Sequence, residues 1–267
     1  MRWLKRLGVA LAVFAVGFCG CTALRGPVSL PFDLVTNLGA TIEAPELRPP
    51  ADSRRRVVFL QHGMWRTERS MDRLERTLEA NGYEVQNLGY PSTEERIEAH
   101  AARLGEAVEA RFREGPVDEL SFVGHSMGGL VIEEYLRRAD ARAPKACVYL
   151  GSPHRGAVLA DKRHHWFAFQ VAMGDQAASQ LVTTAPLHRR PIPYGERSGA
   201  VVGDIGEGNR AIPGRDDGTV GVEEATFEGC SDTVVLPVGH SFITVAPGAL
   251  RQVLAFLRDG RFAPVAD

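Results

Sequence analysis

Lysine is nearly absent from this 267-residue chain: Lys5, Lys145 and Lys162 are all there is, and arginine supplies almost all of the 31 basic residues. Against 33 acidic residues the formal net charge is −2, so the basic surplus expected of a nucleic-acid binder is missing. Cysteine is sparse too. Four cysteines do not make a disulfide scaffold, and the chain is long enough to bury a core without cross-links. No internal repeat is present. What remains is ordinary: 44% hydrophobic and 24% charged residues, which excludes disorder and a collagen-like chain and predicts one globular domain with extensions.

The extension at the N-terminus stands apart. Arg2, Lys5 and Arg6 precede an uncharged stretch from Leu7 to Leu24, the pattern of a secretory signal or a membrane anchor. The stretch is borderline for spanning, which takes about 20 apolar residues. Within it, Phe18-Cys19-Gly20-Cys21 resembles a bacterial lipoprotein box, with Cys21 the better acceptor because a small residue precedes it. Residues 1–21 are thus expected to be a signal peptide ending in a lipidation site at Cys21, or an uncleaved anchor helix. Either places the chain outside the cytoplasm, on the periplasmic face of a bacterial membrane or at the cell surface. In that compartment Cys147 and Cys230 could pair, although Cys147 lies in an apolar run that equally suits a buried free thiol.

Residues 22–55 are rich in proline and arginine, show no sustained period, and read as a linker. From Arg56 to about residue 260, short apolar runs alternate with helical patterns. Strands are expected at Arg56–Leu60, Tyr83–Tyr90, Leu120–Val123, Lys145–Leu150, Gly199–Val202 and Val234–Val238. Between them, Ser70 should cap a helix carrying Met71, Leu74 and Leu78. Ser92 with Glu95 should form a capping box for a helix carrying Ile97, Ala101, Leu104, Val108 and Phe112. A further helix is expected over 127–138, and Ala246-Pro247 opens a closing one. Alternation of this kind predicts an α/β fold: one doubly wound, mainly parallel sheet with helices on both faces. An insertion at 157–195 breaks the rhythm. It carries Trp166 and Phe167, and apolar groups of that size predict a lid or an acyl-binding wall.

The residues that carry chemistry lie at strand ends. Gly124-His125-Ser126-Met127-Gly128 is a G-x-S-x-G set directly between a strand and a helix, where a strained turn lifts a serine hydroxyl into the open. Glycine-rich turns also cradle phosphates, but this one lacks the P-loop lysine and the G-x-G-x-x-G spacing. A nucleophilic serine needs a base, and the base needs an orienting acid. Among eight histidines, His240 follows the last strand at its C-terminal end, where open α/β sheets place their sites. His154 is the rival base. His62 and His125 read as loop-shaping residues, His100 as a solvated helical residue, and His188 as a surface residue of the insertion. The acid falls in Asp216-Asp217-Gly218. Asp217 is favoured and Asp216 could replace it, although an Asp-Gly turn needs no role at all. The order Ser126, Asp217, His240 is that of the α/β-hydrolase fold class. For the two backbone donors of an oxyanion hole, the Met127 N–H follows the nucleophile and the Met64 N–H lies in the loop after the first strand, beside Trp65.

With these pieces in view, the sequence resembles the α/β-hydrolase superfamily in its bacterial serine lipase and esterase branch, in a compact form. The matching segments are Leu60-Gln61-His62-Gly63-Met64, the glycine-flanked Ser126, Gly151-Ser152-Pro153-His154-Arg155-Gly156, Asp216-Asp217-Gly218-Thr219-Val220, and His240. The resemblance implies Ser126 as nucleophile, Asp217 as acid, His240 as base, and Met64 and Met127 as oxyanion donors. It implies a carboxylic ester or lipid substrate, with Trp65, Trp166 and Phe167 as candidate substrate contacts, and it calls for no metal or organic cofactor. An acyltransferase or thioesterase would use the same triad. A non-catalytic lipoprotein of this fold, binding lipid or a partner protein, would be expected to have lost one of its members.

Overall fold

The computed structural model describes residues 52–163 and 175–265. The leader with Cys21, nearly all of the linker, and Trp166 and Phe167 of the insertion lie outside the described residues. Among the described residues no helix is long and apolar enough to cross a membrane.

The apolar runs become strands β1 (Arg56–Gln61), β2 (Glu84–Leu88), β3 (Glu119–His125), β4 (Ala146–Leu150), β5 (Ser198–Gly203) and β6 (Asp232–Leu236). They form one sheet in the order β2-β1-β3-β4-β5-β6, with every neighbouring pair parallel. Strand residues alternate between two apolar layers, as a sheet covered on both faces requires. Val57 and Phe59 of β1 join Phe122, Cys147 and Tyr149 on one face. Val58 and Leu60 join Val123, Val148, Leu150 and Val201 on the other.

Helices close both layers. On the second face lie α1 (Asp72–Ala80) and, last in the chain, α6 (Pro247–Asp259), through Leu74, Leu78, Leu250, Val253 and Leu254. On the first face lie α2 (Ile97–Glu114) and α3 (Met127–Leu136), through Ile97, Leu104, Val108, Leu130 and Tyr135. Phe122 bridges this layer, its ring centroid 5.9 Å from Phe59 and 5.5 Å from Tyr135. Each such side chain taken from water contributes about 1.5–3 kcal/mol. Every residue of α3 but Glu134 is buried, so this helix is wrapped on all sides and has no solvent face to adjust.

Two expected caps are not formed. The Ser70 hydroxyl donates to the Thr67 carbonyl within a 3-10 turn, and α1 begins at Asp72. Ser92 Oγ instead accepts the Trp65 N–H, and Glu95 pairs with Arg103. The first N–H of α2, on Ile97, is satisfied 83 positions away by Gln180 Oε1 at 2.7 Å. Gln180 belongs to the insertion, whose described parts hold the short helices α4 (Val158–Arg163) and α5 (Asp175–Ala178). Ala157, Ala160, Ala177, Leu181 and Leu187 from these parts pack into the α2–α3 layer. His100 is buried beside Tyr90, where a solvated side chain was expected, and His188 is half-buried with its ring nitrogens against the carbonyls of His154 and Gln180. Cys147 and Cys230 are both free thiols.

Candidate active site

The chain runs from β1 outward to β2 and then returns to the other side of β1 for β3. At such a switch point the loops after the two central strands part and leave a crevice at their C-terminal ends. The β3 exit supplies Ser126 and the β1 exit supplies residues 62–66.

Ser126 takes φ 55° and ψ −127°, a backbone region that side chains avoid. Its N–H donates to the Leu150 carbonyl at 2.9 Å, which ties the turn to the end of β4. Glycine makes the turn possible. A Cβ on Gly124 would lie 2.6 Å from Gly129 Cα, and one on Gly128 would lie 2.6 Å from the His62 carbonyl oxygen and nearer still to that of Gln61. Here β3, the start of α3 and the end of β1 meet backbone to backbone. Met127 heads α3 with its side chain fully buried, and its N–H has no carbonyl within the helix to bond.

Asp217 follows β5 and His240 follows β6, and the two meet: His240 Nδ1 and Asp217 Oδ2 are 2.7 Å apart. A carboxylate can only accept, so Nδ1 carries the proton and Nε2 is left with its lone pair. Asp217 Oδ1 accepts the N–H groups of Thr219 at 2.9 Å and Val220 at 2.7 Å. The Asp217 side chain is 1% exposed and that of His240 11%, a carboxylate sealed in and an imidazole nearer the surface. A Cβ on Gly151, after β4, would come 3.0 Å from Asp217 Oδ2 and 3.3 Å from His240 Nδ1, so the pair lies against the strand end that also holds Ser126. Asp216 points elsewhere. Its oxygens accept the N–H groups of Gly218 and Asn209, and it shapes the loop. Asp204 pairs with Arg215 and accepts the Gly206 N–H.

The β1 loop is ordered from within. His62 Nδ1–H donates to the Gly63 carbonyl at 2.9 Å, Nε2 accepts the Tyr90 N–H at 3.3 Å, and the ring stacks on Tyr90. Burial pushes this imidazole down to about 4, so it stays neutral at ordinary pH. Met64 is half-buried. Trp65 has φ 60° and is 39% exposed, and Arg66 donates to Ser241 Oγ at 2.6 Å. Phe242, just beyond, is 50% exposed.

His154, the rival base, is committed elsewhere. Its Nδ1 bonds Glu133 Oε1 of α3 at 2.6 Å, with both side chains buried and Arg137 on the other carboxylate oxygen. Burial alone would raise the Glu133 carboxyl, but His154 and Arg137 outweigh it and hold the group below its usual range. Nothing local in the sequence links residues 133 and 154, and this pair went unread there. A hollow of about 570 Å³ lined by Arg96, Glu98, Gln180, Leu187 and Arg190 shares no residue with the Asp217–His240 cluster. Among the described residues no group of three or more His, Cys, Asp or Glu side chains could hold a metal ion.

Comparison with known proteins agrees with this architecture. Residues 57–253 match the alpha/beta hydrolase family, and the chain belongs to that family. Among solved structures it is similar to the mature lipase BlEst2 of Bacillus licheniformis, with 20% identity and a TM-score of 0.58 over 80% of this chain and 94% of that one. It is also similar to the type II thioesterase BorB of the borrelidin biosynthetic cluster, with 20% identity and a TM-score of 0.54 over the same shares of the two chains. A third similar structure is the metagenomic carboxyl esterase MGS0156, with 16% identity and a TM-score of 0.52 over 75% of this chain and 68% of that one. At these identities the likeness is one of fold. No curated protein matches the chain.

Proposed function

We propose that the protein is a serine hydrolase that cleaves carboxylic esters through an acyl-enzyme. One observation carries the reading: a buried carboxylate holds His240 by Nδ1, at the C-terminal ends of the same parallel sheet that carries a serine in a strained turn. In this reading Ser126 Oγ gives its proton to His240 Nε2 as it bonds to the ester carbonyl carbon. The carbonyl oxygen gathers negative charge and is met by the N–H groups of Met64 and Met127, the second helped by the N-terminal dipole of α3. His240 then returns the proton to the departing alkoxide. Water repeats the sequence on the acyl-enzyme and frees the acid and Ser126. Asp217 stays ionised throughout and stabilises the imidazolium that forms twice per turnover.

Trp65 and Phe242, exposed on the two loops joined by Arg66 and Ser241, favour an apolar acyl or alcohol group at the mouth. A thioester of the same acyl chain would meet the same groups, and a paired assay of oxygen ester and thioester sets the preference. The hydrolase reading is tested with a fluorophosphonate probe. Wild-type protein should take one label, Ser126→Ala none, and the variant should lose about 10⁴-fold or more in kcat. An unlabelled wild type, or a Ser126→Ala variant of near-normal activity, sinks it and favours a binding protein of this fold.

A further inference from the structure

His240 sits on a turn after β6, an edge strand paired with β5 alone. Such a turn has few neighbours to fix it, yet a base has to be held within tenths of an ångström. Around His240 the hydrogen bonds close in from three other strand ends. Its N–H donates to the Asp217 carbonyl at 2.8 Å, and its Nδ1–H to the Asp217 carboxylate. Its carbonyl oxygen faces His125 Nε2 at 3.1 Å, and the next residue, Ser241, takes the Arg66 guanidinium on its hydroxyl at 2.6 Å. His125 is the last residue of β3, adjoining Ser126, and Arg66 lies in the loop after β1.

The state of His125 follows from its partner. A carbonyl can only accept, so Nε2 carries the proton and Nδ1 is bare. That bare nitrogen is buried against Gly63 and has no hydrogen-bond partner. Leaving a buried acceptor unmet is unfavourable, and an apolar side chain would avoid it. The imidazole offers in return a neutral N–H at the right reach, with its ring centroid 4.8 Å from that of His240. Burial, then the nearness of His240 and Arg66, holds His125 well below the ordinary 6.5, so it adds no positive charge when His240 takes up a proton.

We propose that His125, with Arg66 as a second tether through Ser241, is a positioning residue for His240 that sets the base against the nucleophile turn. The proposal rests on the hydrolase reading above and adds to it the means by which an edge-strand base is kept in register with a central-strand serine. His125 itself exchanges no proton with substrate. Its contribution is to the geometry of the transition state, so its loss should fall on kcat and spare KM.

The test uses the whole chain, p-nitrophenyl butyrate and the fluorophosphonate probe. His125→Phe fills the site but removes the N–H. It should lower kcat and the labelling rate together by about 10- to 100-fold, with KM changed less than about twofold. His125→Gln carries an amide N–H at nearly the same reach and should recover most of the loss. Ser241→Ala removes the acceptor of the Arg66 tether without touching the core, and should lower kcat by about threefold at an unchanged melting temperature. Wild-type kcat in folded His125→Phe, a loss that appears in KM, or a Gln variant as poor as Phe overturns the proposal while a labelled wild type leaves the hydrolase reading intact. If His125→Phe does not fold, an unchanged kcat in Ser241→Ala together with a Gln variant at wild-type melting temperature but poor kcat overturns it. A wild type that takes no label overturns both.

Discussion

Asp216 and Asp217 are neighbours of identical chemistry, and exchanging each for asparagine should produce opposite failures. Asp217 Oδ1 accepts two backbone N–H groups and Oδ2 accepts one imidazole N–H, three donors on one carboxylate. Asparagine has one oxygen to offer. Two donors outbid one, so the amide oxygen should turn to Thr219 and Val220 and its NH₂ should face His240. The imidazole must then present a lone pair at Nδ1 and move its proton to Nε2, the tautomer that cannot accept from serine. A wrong tautomer in a triad of this kind costs about 10⁴-fold in kcat, while the backbone bonds survive and the fold should hold. In Asp216→Asn the amide must set its NH₂ against the N–H of either Gly218 or Asn209, so one buried bond is lost. That costs about 1–3 kcal/mol of stability, with activity within a few-fold of wild type. Initial rates on p-nitrophenyl butyrate and urea unfolding on both variants separate the outcomes. Equal loss of activity in the two, or an inactive Asp216→Asn beside an active Asp217→Asn, would refute this assignment of the acid.

Two further perturbations probe the frame. Gly128→Ala puts a methyl group where the carbonyls of Gln61 and His62 already lie, so α3 and the end of β1 must part by roughly 0.5–1 Å. We expect about 1–3 kcal/mol of destabilisation and about 100-fold lower kcat, and a variant with normal melt and rate would contradict the contact. His62 concerns pH. Its folded value of about 4 lies below its ordinary 6.5, so the folded state resists protonation and the unfolded state does not. The stability this contributes is complete above about pH 6.5 and is lost as pH falls toward 4, roughly 3 kcal/mol at 1.36 kcal/mol per unit. Urea midpoints taken from pH 7 to 4 should fall, and His62→Gln should flatten the slope; a parallel slope in the variant removes His62 as the cause.

How far the sequence could be read depended on whether the cause of each feature was local. Val57-Val58-Phe59-Leu60 and Phe122-Val123 have no polar face, which is what a strand covered on both sides needs, and the central strands were legible on that ground; β2 and β6, at the two margins of the sheet, mix polar with apolar residues and are partly exposed. Ser126 announced itself because sterics at three backbones admit only glycine around it. The N-terminal boundaries of α1 and α2 differ from expectation because both serines bond elsewhere: the Ser70 hydroxyl donates to the Thr67 carbonyl, and Ser92 Oγ accepts the Trp65 N–H while the first N–H of α2 is met by Gln180 from across the chain. His100 could have been placed, since it lies three residues after Ile97 and four before Leu104, on the buried stripe of its helix. The choice between Asp216 and Asp217 and the hold of His125 on His240 depend on how separate strand ends come together, and the Glu133–His154 bond on how α3 meets the loop after β4, none of which a spacing encodes.

The arrangement of the sheet has a consequence for how the molecule fails on heating. Ser126 follows β3, which is flanked by strands on both sides, whereas Asp217 and His240 follow β5 and β6, the latter the sheet's margin. Protein structures open piecemeal, margins first, at free energies well below that of global unfolding. A partial opening that peels β6 from β5 would carry off His240 while β1, β3 and β4 stayed packed with Ser126 still in its turn. Loss of turnover and loss of structure would then be separate events. The temperature of half-inactivation would fall below the calorimetric transition, amide exchange in β6 would outpace that in β3, and cooling would restore activity so long as the centre of the sheet had never come apart.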